Sequence, residues 1–328
     1  MSPQSREDLQ LKGGQDPAAP QPLVVAAADG YSIKGFTWRL SGEAPADRPV
    51  VIINPATSVR CRYYSRFAAF VFAQGMDVIT YDYRGIGESR PATLRGFDTG
   101  WIDWGELDFE AVLRHAEGEF PSQPIHVVGH SIGGFLIGLA KSNRLIRRAF
   151  TIGAQYAYWP DYAPARRLRM VAKWHIAMPA LTLVFGYFPG KRLGWLEDTP
   201  KGVVRDWALS RSRFEDTWRG SSARRYPAKQ ELVQRFAALT APMLSVSVSD
   251  DEFGTIPASQ RLLSYFIRSP RTLLEIRPES IGERAIGHFG FFNSRYEKTL
   301  WPIAIEWLKY GTPSATHSSM VKLRLDAT

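Results

Sequence analysis

The chain has 328 residues, of which 22% are charged and 45% hydrophobic, and its 41 Lys and Arg against 32 Asp and Glu give a formal net charge of +9. This composition is ordinary for a globular protein and excludes a disordered or fibrous chain. No apolar run reaches the roughly 18 residues of a membrane-spanning helix. The longest candidate, Ile176 to Phe188, is interrupted by Pro179 and Gly186.

The first residues and the cysteine content bear on the cellular compartment. Met1 to Pro20 is polar, lacks a basic start followed by an apolar stretch, and is predicted to be a flexible tail without a secretory signal. Cys61, the single cysteine, has no partner in the chain for a disulfide bond. Both observations lead us to expect a cytoplasmic protein.

The structured part begins with a predicted hairpin and continues as alternating strands and helices. Leu23 to Leu40 indicates two strands around Asp29-Gly30. The following strands are predicted at 50–54, 77–81, 125–128, 149–152, 243–248 and 273–276. Helices are predicted at 63–74, 104–119, 132–140, 258–266 and 295–309. This alternation predicts an α/β fold with a mostly parallel sheet and helices on both faces.

Residues 155–230 interrupt the alternation and lack clear strands. We interpret them as an inserted helical lid in a core formed by residues 21–154 and 231–310, with 311–328 as a C-terminal tail. Residues 160–225 contain 13 Lys and Arg against 6 Asp and Glu. This excess of positive charge could form a solvated face, a site for anionic substrates or a contact with a membrane surface. Candidates for an apolar pocket wall are Tyr156, Tyr158, Trp159, Met178, Phe185, Tyr187 and Phe188.

A candidate nucleophile lies between a predicted strand and a predicted helix. Gly129-His130-Ser131-Ile132-Gly133 has the Gly-x-Ser-x-Gly pattern, in which a sharp turn exposes the serine hydroxyl above the sheet. Side chains at the flanking glycine positions would collide with the neighbouring backbone. The alternative interpretation is a glycine-rich turn with a buried serine.

A second motif extends the pattern. Tyr81-Asp82-Tyr83-Arg84-Gly85-Ile86-Gly87-Glu88-Ser89 is similar to the D-x-R-G-x-G-x-S turn of many α/β-hydrolases. With the serine turn, the chain resembles this superfamily over roughly residues 22–310, and most closely its bacterial serine-aminopeptidase-like and lysophospholipase-like members. The resemblance implies an α/β-hydrolase fold and a Ser-Asp-His hydrolase. It does not specify the substrate.

In this superfamily the base and the acid follow the serine in the order acid, then histidine. Among six histidines, His288 lies in Gly287-His288-Phe289-Gly290, after the last strand and before the last helix, and is the candidate base. The acid is expected among Asp250, Asp251 and Glu252, which end a strand. The family pattern favours Asp251, with Asp250 as the alternative. One of these carboxylates could instead cap the following helix.

The resemblance also implies two backbone donors for the oxyanion. One is the N–H of Ile132, directly after the nucleophile. The other is expected from the loop after 50–54, where many family members have His-Gly before the donor. This chain has Asn54-Pro55-Ala56, so Ala56 is predicted to be the donor and the loop departs from the family pattern.

These residues predict a serine esterase that acts on a small-molecule ester or thioester through an acyl-enzyme, with anionic and lipid-like substrates left open. An acyltransferase with the same triad, or a non-catalytic ligand-binding protein on this scaffold, are the alternatives. No zinc-like Cys/His spacing, Walker loop or dinucleotide fingerprint is present, so we expect neither a cofactor nor a metal. We also expect no nucleic-acid partner. The oligomeric state is open.

Overall fold

A computed structural model describes residues 19–42, 45, 47–217, 228–312 and 321–325. The predicted N-terminal tail, residues 1–20, lies outside this part except for its last two residues. The strands are β1 Gln21–Ala26, β2 Ser32–Trp38, β3 Val50–Asn54, β4 Asp77–Asp82, β5 Ile125–His130, β6 Ile146–Ile152, β7 Tyr187–Phe188, β8 Thr199–Pro200, β9 Met243–Val248, β10 Arg271–Ile276 and β11 Val321–Leu325.

Nine of the strands in the described residues form one sheet, in the order β1-β2-β4-β3-β5-β6-β9-β10-β11. The pairs from β4 to β10 are all parallel, whereas the edge pairs β1–β2, β2–β4 and β10–β11 are antiparallel. The predicted mostly parallel sheet and the predicted hairpin at Asp29-Gly30 are therefore confirmed. The short strands β7 and β8 pair only with each other.

The helices cover both faces of this sheet. They are α1 Ser65–Ala73, α2 Trp101–Asp103, α3 Glu110–Glu119, α4 Ile132–Leu139, α5 Arg167–Met170, α6 Met178–Phe185, α7 Gly190–Leu193, α8 Lys201–Ala208, α9 Lys229–Ala238, α10 Ile256–Leu263, α11 Gly287–Gly290 and α12 Trp301–Tyr310. Helical backbone of the π type continues α2 into α3 over Trp104–Phe109, and α5 into α6 over Val171–Ala177.

Alternate residues of the central strands supply two separate cores. In β3, Val50 and Ile52 join the core beneath α3, α4, α9 and α10, while Val51 and Ile53 join the core beneath α1 and α12. Successive side chains of a strand point to opposite faces, so a strand that is apolar at every position needs cover on both sides. This requirement explains the layered architecture.

The predictions for the C-terminal part need two corrections. Residues 311–328 were predicted to form a tail, yet Val321–Leu325 forms β11, which pairs antiparallel with β10. Its sequence alternates apolar and basic residues, which is a strand pattern, and the edge of β10 offers it backbone partners. The last helix was predicted to begin at Arg295, but α12 begins at Trp301, after a turn of 3-10 helix at Ser294–Tyr296.

A buried histidine on β5 should make the protein's stability depend on pH. Burial, and secondarily the nearby Arg148 guanidinium, lower the pKa of His126 to about 3. The unfolded chain, with an ordinary histidine pKa of about 6.5, then binds more protons below that pH. The contribution of His126 is therefore complete above about pH 6.5 and is lost on acidification.

We expect the free energy of unfolding to fall by up to about 1.4 kcal/mol per pH unit through His126 as the pH drops from 6 to 4. Urea unfolding of the wild type and His126→Gln, at pH values from 7.5 to 4, measures this slope. The variant should have the shallower slope because glutamine does not titrate. Equal slopes for the two proteins would contradict the assignment.

Candidate active site

The predicted nucleophile lies at a sharp turn between strand and helix. β5 ends at His130 and α4 begins at Ile132, which leaves Ser131 alone in the turn with φ 55° and ψ −120°. This left-handed backbone region is strained for a residue with a side chain. A Cβ atom at Gly129 would lie 2.7 Å from Gly134, and one at Gly133 would lie 2.3 Å from the Asn54 carbonyl oxygen. The sequence interpretation of these glycines is confirmed.

His288 and Asp251 form a hydrogen-bonded pair at the same edge of the sheet. The Nδ1–H of His288, which lies in α11, donates to Oδ2 of Asp251 over 2.7 Å. The other oxygen of Asp251 accepts the backbone N–H groups of Phe253 and Gly254. With its carboxylate held in this way, Asp251 fixes the tautomer of His288 and leaves Nε2 available as a base.

Asp250 serves a different purpose from its neighbour. Its two oxygens accept the backbone N–H groups of Ile286 at 2.9 Å and Gly287 at 3.0 Å. These groups immediately precede His288 in the chain. The structure therefore pairs His288 with Asp251, while Asp250 holds the loop that carries the histidine.

Ser131 and His288 line one cavity of about 140 Å³. Three tryptophans of the segment 155–230 form much of its wall, and Trp174 stacks on Trp207 with ring centroids 5.0 Å apart. The full lining is Ala56, Thr57, Ser131, Lys173, Trp174, Trp195, Leu196, Trp207, Glu252, Phe253, His288 and Phe289. The seven apolar wall candidates from the sequence are absent from this lining, because tryptophans of the same segment occupy the wall.

The two predicted oxyanion donors, the N–H groups of Ile132 and Ala56, differ in whether another group already accepts from them. Ile132 is the first residue of α4, a position at which the backbone N–H has no carbonyl partner one helical turn earlier. The N–H of Ala56 instead donates to the buried hydroxyl of Tyr64 over 2.9 Å, so its prediction as a free donor needs correction. The next residue, Thr57, also lines the cavity, and no hydrogen bond in the described part of the chain uses its N–H.

A buried chain of hydrogen bonds links this loop to the catalytic histidine candidate. The Tyr64 hydroxyl accepts from Ala56 and lies 2.7 Å from Nδ1 of His130, while Nε2 of His130 lies 2.9 Å from the carbonyl oxygen of His288. Burial and the proximity of His288 lower the pKa of His130 well below its ordinary value. In a neutral His130, Nδ1 accepts the proton of the Tyr64 hydroxyl and Nε2–H donates to the carbonyl oxygen of His288. Each of the three hydrogen bonds then has one donor and one acceptor.

Gln155 is a contact of Ser131 that the sequence analysis missed. Its Nε2 donates to Ser131 Oγ over 3.3 Å, and its Oε1 accepts the N–H of Ala157, which fixes the orientation of the amide. One signal could have identified it. β6 ends at Ile152 beside β5, so the residues just after it lie at the same sheet edge as the serine.

The second motif of the sequence anchors loops beneath the cavity. Tyr81 donates to the side-chain oxygen of Asn54, whose amide nitrogen donates to the Gly133 carbonyl. The Tyr83 hydroxyl donates to the carbonyl of Pro55. The unusual Asn54-Pro55 pair is thus tied both to the β4 turn and to the serine turn, which gives the departure from the family pattern a structural function.

A model of the alpha/beta hydrolase family matches residues 50–296. No curated protein matches the chain. Solved structures share the fold: an esterase of Pyrococcus furiosus has a TM-score of 0.55 at 14% identity and is matched over 92% of this chain and 97% of its own. The esterase domain of a Rhodothermus marinus protein has a TM-score of 0.51 at 15% identity, over 88% and 98%.

A puromycin hydrolase has a TM-score of 0.55 at 16% identity, with 93% of this chain covered and 42% of that one. At identities this low, the likeness extends to the fold alone. Within the described ranges, no helix combines the length and the apolar character needed to cross a bilayer.

Proposed function

Since this chain belongs to the alpha/beta hydrolase family, we propose that it is a serine hydrolase that cleaves a carboxylic ester or thioester of a small or lipid-like substrate. The 2.7 Å hydrogen bond between His288 and Asp251, at a cavity that Ser131 also lines, supports this function most directly. The esterases among the structural neighbours are compatible with it.

The proposed reaction begins when Ser131 Oγ attacks the substrate carbonyl and its proton passes to Nε2 of His288. Asp251 stabilises the resulting imidazolium. The N–H of Ile132 and the positive end of α4 stabilise the oxyanion, with the N–H of Thr57 as the second donor in place of Ala56. His288 then protonates the leaving alcohol or thiol. Water, deprotonated by His288, hydrolyses the acyl-enzyme and restores Ser131.

A fluorophosphonate probe tests for the activated serine that this reaction requires. We expect one adduct per chain, on the peptide that contains Ser131, in intact-mass and peptide-mass spectra. Ser131→Ala removes the acceptor and His288→Ala removes the base, so neither variant should be labelled. Short esters of graded chain length, with and without detergent, then report turnover. A folded protein that is neither labelled nor active under both conditions would overturn the proposal in favour of ligand binding.

The same sample separates hydrolysis from acyl transfer. An added alcohol or thiol competes with water for the acyl-enzyme. A hydrolase releases mainly the free acid at millimolar acceptor concentrations, whereas a dominant transfer product would identify an acyltransferase.

A further inference from the structure

Lys173 places an ammonium group at the wall of the Ser131 cavity. It lies in the π-helical stretch Val171–Ala177, and its Nζ is 4.4 Å from the ring centroid of Trp174 and 4.3 Å from that of Trp195. These two rings meet edge to face with centroids 5.7 Å apart. An ammonium within about 6 Å of a ring face is attracted by it, and two rings restrict where this lysine points.

The ammonium lacks a close negative partner. Among the described residues, no ion pair or hydrogen bond involves Lys173 Nζ, which lies against the two indole rings. Glu252 also lines the cavity, but its carboxylate pairs with Arg166 at 3.7 Å. Partial burial and the charge of Arg169 lower the pKa of Lys173, against the opposite effect of Glu252. The Lys173 ammonium therefore has no hydrogen-bonded counter-ion among the described residues.

The cavity also limits what such a charge can bind. Its volume of about 140 Å³ is close to that of a protein cavity that accommodates benzene, at about 150 Å³. Ser131 and Lys173 line the same small space, so a group held by both is short. A long acyl chain would have to extend outside it.

We infer that Lys173 binds a carboxylate of the substrate, and that the preferred substrate is a short ester or thioester with a carboxylate a few bonds from the scissile carbonyl. This inference rests on the proposed esterase function. The ammonium donates charge-assisted hydrogen bonds to the carboxylate, while the indole rings pack on the connecting carbons. The reaction at Ser131 is unchanged, and Lys173 selects which ester reaches it.

Matched pairs of esters that differ only in charge test the inference. Monoethyl glutarate is compared with ethyl glutaramate for a charge on the acyl side, and acetoxyacetate with acetoxyacetamide for a charge on the alcohol side. One anionic member should have a kcat/KM at least about tenfold above its amide, from the usual strength of a charge-assisted hydrogen bond. The pair that shows the preference identifies the side that faces Lys173.

Three variants separate the local contact from general effects of charge. Lys173→Met keeps an unbranched side chain against the two rings and should remove the preference by lowering kcat/KM for the anionic ester alone. Lys173→Arg keeps the charge and should retain at least part of the preference. Lys191→Met is the control, because Lys191 belongs to the same segment, pairs with Glu197 at 3.5 Å and is absent from the cavity lining.

The results distinguish failure of the carboxylate site at Lys173 from failure of the proposed esterase function. Equal rates for both members of both pairs, or equal losses in Lys173→Met and Lys191→Met, overturn the inference. If Lys173 only holds the indoles together, Lys173→Met changes both members of a pair alike. If Ser131 resists the fluorophosphonate, the proposed function fails. Calorimetry with monoethyl glutarate then decides the anion site separately, by binding to the wild type and its loss in Lys173→Met.

Discussion

Ser131→Ala is expected to lower kcat for a cleavable ester by about 10⁵-fold, to the level left by binding and oxyanion stabilisation. Alanine removes the only oxygen that we place at the start of the reaction, while the cavity and the His288–Asp251 pair remain. His288→Ala should cause a loss of similar size. The double variant should be no worse than either single one, because the two residues act as a unit. Steady-state kinetics with one short ester measures all three.

A glycine at the same position separates catalysis from folding. Ser131 has φ 55°, where a side chain costs about 1 to 3 kcal/mol and glycine does not. Ser131→Gly should therefore be as inactive as Ser131→Ala but more stable, with a higher urea midpoint than both alanine and wild type. Residual activity within about tenfold of wild type in either variant would remove Ser131 from the role of nucleophile.

Much of the fold could be predicted because its strands are buried on both faces. Val50–Asn54 and Met243–Val248 are observed with the bounds expected from their apolar runs. The apolar pattern also placed α4 and the alternation around it. β11 is not predicted, because one short alternating stretch near the C-terminus does not indicate which strand of the sheet it pairs with. The start of α12 was placed too early because the apolar pattern does not reveal the 3-10 turn before it.

The candidate site could be predicted only as far as chain order determines it. The order serine, acid, histidine pointed to Ser131 and His288, but Asp250 and Asp251 follow the same strand and chain order does not separate them. The turn after β9 separates them, because it directs one carboxylate to the ring of His288 and the other to the backbone before it.

Ala56 was chosen by its position in a family pattern. The hydroxyl that occupies its N–H comes from Tyr64, through a tertiary contact with no signature in the local sequence. Gln155 also lacks a local motif. Its placement beside Ser131 follows only from the pairing of β6 with β5, which is a tertiary feature.

The two neighbouring aspartates provide a second test of large expected effect. Asp251→Asn should lower kcat by about 10⁴-fold, because an amide can donate to Nδ1 of His288 and favour the wrong tautomer. Asp250→Asn removes the negative charge of the neighbouring residue and leaves the His288–Asp251 pair in place. Asp250→Asn keeps one carbonyl oxygen for Ile286 or Gly287, so we expect a loss of at most about tenfold and a cost of about 1 kcal/mol in stability.

The ratio of kcat between Asp250→Asn and Asp251→Asn is the decisive quantity, because both variants lose one negative charge at nearly the same place. A general electrostatic role for the acidic cluster would reduce activity equally in both. A role in orienting the imidazole requires unequal losses, since of the two aspartates Asp251 is the one hydrogen-bonded to the ring, while Asp250 accepts backbone N–H groups. Equal losses would therefore favour the general electrostatic role, and a larger loss in Asp250→Asn would show that the loop held by Asp250 matters more for activity than the contact of Asp251 with the ring. Kinetics and urea unfolding on the same preparations separate a misplaced loop, which lowers both stability and activity, from a misoriented base, which lowers activity alone.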